Sequence, residues 1–164
     1  MKVSGGDPLG YHMNPVDIKV LSTGSKVNTF AMKPSTHSLS DPLSFAAHHL
    51  PASAKKVGTV CVLIDLGLPR STSLNVIGEG PVDPWEDECR TMLLPFVLSA
   101  AQSRAEGHCP EIGLIHLRLG ENAVTDLDLR WARALECCAE QEGFTSLGVI
   151  ALLPSGLQIR VSPY

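Results

Sequence analysis

The stretch EIGLIHLRLGENAVTDLDLRWARALECCAEQEGF, residues 111–144, constrains the fold more than any other. Its apolar residues first fall on both sides of an extended chain, then repeat every three to four residues. That is a strand, a short polar loop and a helix, with the strand buried on both faces as in the middle of a covered sheet. Residues two apart on a strand share a face. His116 and Arg118 therefore lie with Leu114 and Ile112, and Ile115, Leu117 and Leu119 lie opposite. His116 stands at the C-terminal end of the strand, where α/β sheets place their sites. The helix runs from Thr125 to Phe144, with its stop at Gly143. It buries Leu127, Trp131, Ala134, Leu135 and Cys138. Thr125 and Asp128 form a relative of the capping box, Asp126 adds charge to the same first turn, and Asp128 sits on the flank of the buried stripe. Two readings stay open at this level: His116 and Asp128 as ligands of one metal, or as a buried histidine and a helix cap.

The remaining elements fit around this unit. Ser40 is expected to cap a short helix with Pro42 in its first turn. VGTVCVLIDLG, residues 57–67, reads as a buried strand, and STSLNVIGEGP as a second strand paired to it. DPWEDECRTMLLPFVLSAAQSRAEGH predicts a long helix starting at Asp83-Pro84, acidic in its first turn where the helix dipole favours carboxylates, and kinked or broken at Pro95. SLGVIALLP and LQIRVSP predict a terminal hairpin across Ser155-Gly156. The order α-β-β-α-β-α-β-β predicts an α/β (α+β) sandwich, a mixed central sheet flanked by helices. Residues 1–40, rich in Gly, Pro, Ser and Thr, read as an N-terminal arm, partly irregular, with one short strand from Val16 to Leu21. Residues 41–164 form the domain.

Charge and cysteines narrow the function classes. A net charge of −4 and the absence of a basic run longer than Lys55-Lys56 give no nucleic-acid signal. No apolar run approaches the roughly 20 residues of a bilayer span. The first residues, MKVSGGDPLGYHMNP, lack the apolar segment of a signal peptide. Five cysteines, an odd number without a C-x-x-C pair, predict free thiols in a reducing cytoplasm.

From Asp41 onward the ordered pieces DPLSFAAHHL, VCVLIDLGLP, VIGEGPVDPWEDE, LIHLRLG…DLDLRWARALECCAEQEGF and ALLPSGLQIRVSP resemble the JAB/MPN superfamily, most closely its RadC-like branch. The resemblance implies a cytidine-deaminase-like architecture. In active members two histidines in a His-x-His pair and an aspartate hold zinc, and a glutamate activates the metal-bound water for isopeptide or amide hydrolysis. Three ligands leave one open position, and the metal brings its water to a pKa of about 7.

This chain keeps part of that set. His116 matches the first histidine and Asp128 the aspartate. Arg118 stands in the place of the second histidine, Asp65 matches the strand-ending aspartate, and the glutamate position falls near Lys56-Val57. Arginine keeps its proton and has no lone pair for zinc. The expectation is a degenerate site in which Arg118 replaces the cation and pairs with Asp128 or Asp126 while His116 donates a hydrogen bond. Glu79, Glu121, Asp126 and the His48-His49 pair are the residues able to complete a rearranged centre, whereas His108 and Cys109 fall at the wrong end of the strand. No catalytic residue and no cofactor is expected, with His116 and Asp128 the ligands if zinc binds. The expected use is a non-catalytic protein-binding or assembly module with a protein partner or a homodimer. The alternative is a zinc-dependent hydrolase with an altered site.

Overall fold

The computed structural model describes residues 12–20, 26–33, 41–67, 72–77, 81–104 and 106–162, the first two segments by their backbone alone. Two strands, β1 (His12–Val20) and β2 (Lys26–Lys33), precede α1 (Pro42–His48) and a short 3-10 turn (Ala52–Ala54). Then follow β3 (Val60–Asp65), β4 (Thr72–Ile77), α2 (Glu86–Ser103), β5 (Glu111–Leu117), α3 (Asp126–Glu142), β6 (Thr145–Leu152) and β7 (Gln158–Val161).

The strands form one mixed sheet in the order β1-β2-β4-β3-β5-β6-β7. Every neighbouring pair is antiparallel except β5 and β6, which are parallel and joined through α3. A parallel pair needs such a crossover, because a tight turn reverses the chain. Five strands, β3 to β7, carry the helices. β3 and β5 are central to them, which is why VCVLI and IGLIHL are apolar without alternation.

Two apolar layers sit on the two faces of the sheet. Val60, Val62, Ile64, Ile112, Leu114, Val149 and Ala151 pack against α2 and α3, whose contributions include Leu93, Val97, Trp131 and Leu135. The intervening residues Cys61, Leu63, Ile115, Leu117, Ile150 and Leu152 pack against Leu43, Phe45, Ala46 and Ala47 of α1. This is the predicted sandwich. Gly113 lets α1 approach β5: a Cβ there would fall 2.8 Å from Leu43 Cδ1 and 3.1 Å from Leu147 Cβ.

Several element boundaries differ from the sequence reading. α1 is capped by Asp41, whose Oδ1 accepts from the Ser44 N–H at 3.1 Å, and not by Ser40. α2 begins at Glu86, with the Glu88 carboxylate accepting from the Trp85 N–H at 2.7 Å. Asp83 serves instead as an ion-pair partner of Arg130. Pro95 lies inside α2 without dividing it. β3 starts at Val60 rather than Val57 because residues 55–58 are exposed and Gly58 takes a φ of +89°. The arm holds two strands where one was expected. β1 and β2 pair with each other, and β2 pairs with β4. Among the described residues no helix is long and apolar enough to cross a membrane.

Candidate functional site

β5 ends at Leu117, and the loop of residues 118–125 turns the chain back into α3. This local path brings His116, Arg118 and Asp128 together. Asp128 is fixed first by its own helix: Thr125 Oγ1 accepts from the Asp128 N–H at 3.3 Å, and Asp128 Oδ2 accepts from the Thr125 N–H at 2.8 Å. The capping box read from Thr125-x-x-Asp128 is therefore present, and it turns the carboxylate toward the end of β5 instead of toward water. Asp128 is fully buried.

Arg118 meets this carboxylate side-on. Its Nε donates to Asp128 Oδ1 and its Nη2 to Asp128 Oδ2, both at 2.8 Å. The guanidinium also gathers the loop. Nη1 donates to the carbonyls of Leu119 and Glu121, each at 3.1 Å, and Nη2 to the carbonyl of Ala123 at 2.6 Å. These bonds occupy all five N–H donors of the guanidinium. A buried arginine is tolerated only with such complete pairing. Gly120, at a φ of +104°, supplies the left-handed turn that closes the loop around the guanidinium.

His116 is buried on the same face of β5, its ring centroid 6.4 Å from that of Trp131. Its Nε2 lies 2.7 Å from Asp128 Oδ1, but no well-aligned hydrogen bond joins the two, so the contact is a close electrostatic one. Burial alone would push the Asp128 carboxyl up. His116, the Arg118 fork and the Thr125 N–H overcome that and hold it well below the usual carboxylate range.

The donor set does not fit a metal. Both Asp128 oxygens are already engaged by cationic or N–H donors, and Arg118 puts a fixed positive charge beside them. Among the described residues no three His, Cys, Asp or Glu side chains come together as ligands. The side chains considered as substitutes are elsewhere. Glu121 and Asp126 are exposed, Glu121 contributing only its carbonyl. His48 and His49 stack edge-to-face at the end of α1, on the opposite face of the sheet. Cys109 and His108 lie at the start of β5, with Cys109 Sγ donating to the Gly143 carbonyl. Asp65 caps its own turn through the Gly67 N–H, at the far end of β3. Glu79 lies outside the described residues. At the expected glutamate position, Val57 offers an aliphatic side chain.

A cleft of about 320 Å³ opens beside His116 and Arg118. Its walls include Val57, Pro81, Val82, Leu119, Leu127 and Trp131. Val82 is 91% and Leu119 64% exposed, and Trp85 and Val124 are exposed further along the same two loops. Arg130 sits over the Trp85 ring, 5.7 Å from its centroid. Leu127 and Trp131 were read as the buried stripe of α3, but their joining with Val57, Pro81, Val82 and Leu119 was not legible, because these come from three separate loops.

No protein-family model, curated protein or solved structure matches the chain.

Proposed function

We propose that this chain is a RadC-like JAB/MPN domain whose metal centre has been replaced by the Arg118–Asp128 ion pair, and that it serves as a non-catalytic protein-binding or assembly module. The observation that carries the reading is the complete use of the Arg118 donors, five N–H groups on one carboxylate and three loop carbonyls. Such a centre holds a loop in place; it has no open coordination position and no spare base. The fixed loop presents Leu119 beside Val57 and Val82, an exposed apolar rim of the kind that marks protein interaction sites.

The test uses surface variants. Val82→Ser and Leu119→Ser remove apolar area where the side chain is mostly exposed, so the fold is expected to keep its stability within about 0.5 kcal/mol. Sedimentation equilibrium across a concentration series reads self-association. A dimer that weakens in both variants supports assembly through this rim. A dimer unaffected by them, or a strictly monomeric chain that cross-links to no partner protein through a photo-reactive group at position 82, contradicts the reading.

A further inference from the structure

A second cleft, of about 300 Å³, lies on the other side of the Val57 and Leu117 wall, where α1, the 3-10 turn and the β6–β7 turn meet. Its floor is apolar and buried: Ala47, Leu117, Leu152 and Leu153. Its rim mixes Val57 and Pro154 with polar groups, and its ionisable groups are both basic. His48 and Lys55 line it, and no carboxylate does among the described residues, although the chain as a whole is acidic. The third rim group is Ser155. Its Oγ accepts from the Leu157 N–H at 3.4 Å, which leaves the hydroxyl proton to donate.

An apolar floor below an ammonium, an imidazole and a hydroxyl selects an amphiphile with a negative head. Apolar walls gather the tail by removing it from water. The donors fix the head, and the ammonium discriminates against a neutral one. We propose that this cleft binds an aliphatic monocarboxylate, its tail on Ala47, Leu117 and Leu152 and its carboxylate between Lys55 and Ser155. The proposal is independent of the reading of Arg118 and Asp128, which lie beyond the Leu117 wall.

Sodium octanoate titrated into the 15N-labelled chain tests it, with octanamide as the neutral probe of the same length and butyrate as the short one. The expected result is saturable shifts confined to residues around 47, 55, 117 and 152–157. Lys55→Gln, at an exposed position, is expected to raise the octanoate Kd about tenfold, the loss of one charge-assisted hydrogen bond. Octanamide and butyrate are both expected to bind more weakly than octanoate. Absence of saturable octanoate shifts, equal binding of octanamide, or an unchanged Kd in Lys55→Gln would each overturn the proposal.

Discussion

Arg118 and Asp128 face each other across the β5–α3 loop as a fork on a carboxylate, Nε to Oδ1 and Nη2 to Oδ2, both at 2.8 Å and both out of water. Removing either partner strands the other as a buried charge. Asp128→Asn and Arg118→Met are each expected to lower the unfolding free energy by about 3–5 kcal/mol. Urea unfolding at pH 7 measures this. The double variant should recover part of the loss, a coupling of about 1–3 kcal/mol in the mutant cycle. Additive losses would mean that the two side chains do not act as a pair.

Arg118→Lys separates the ion pair from loop fixation. Lysine keeps the charge but lacks the planar fork and two of its five donors. At least two of the acceptors at Leu119, Glu121, Ala123 and Asp128 then lose their bond. A loss of about 2 kcal/mol is expected, with faster amide exchange across residues 119–124. Wild-type stability and exchange in the lysine variant would show that charge alone suffices.

The acid limb of stability reports on Asp128. Its folded pKa lies below the ordinary 3.8, so the native state binds fewer protons than the unfolded chain. The stabilisation is full above about pH 4 and is lost as pH falls from there toward the folded value. Asp128→Asn should flatten that limb of a stability curve measured between pH 5 and pH 2, about the range of carboxylate titration. An unchanged slope would locate the acid sensitivity elsewhere.

The thiols give the opposite sign. Burial pushes Cys61 and Cys89 from the ordinary 9.0 up to about 12. Their contribution is full below pH 9.0 and is lost as pH rises toward 12. In the native state at pH 8 an aromatic disulfide reagent should modify exposed Cys109 first, with Cys61, Cys89 and Cys138 protected until unfolding. Rapid reaction of all five would show a looser core than the one described.

Parts of this arrangement were legible in the residues. Period-two spacing placed His116 and Arg118 on one side of the chain where β5 runs into its loop, and Thr125-x-x-Asp128 announced the cap that turns Asp128 inward. The pairing of Arg118 with Asp128 was expected only through the resemblance, which put an arginine at a histidine position; the residues by themselves left a metal ligand pair and a buried histidine with a helix cap both open. The acceptors on Leu119, Glu121 and Ala123 were not legible, because backbone carbonyls carry no residue signature. The start of α2 was misplaced for a related reason: Asp83-Pro84 has the composition of a cap, but Asp83 is held by Arg130, 47 residues on. The second arm strand was missed because KVNTFAMK mixes polar and apolar residues on both faces, as a strand without a strong core-facing side does.

Zinc stoichiometry tests the central claim most directly. The tag-free chain is loaded with zinc, dialysed and measured by plasma mass spectrometry, alongside His116→Gln. With both Asp128 oxygens engaged by Arg118 and the Thr125 N–H, the expected content is below about 0.1 equivalent in both, because metal affinity needs ligands free to coordinate the ion. Close to one equivalent, lost in His116→Gln, would contradict the account and make His116 and Asp128 the ligands of a working metal centre.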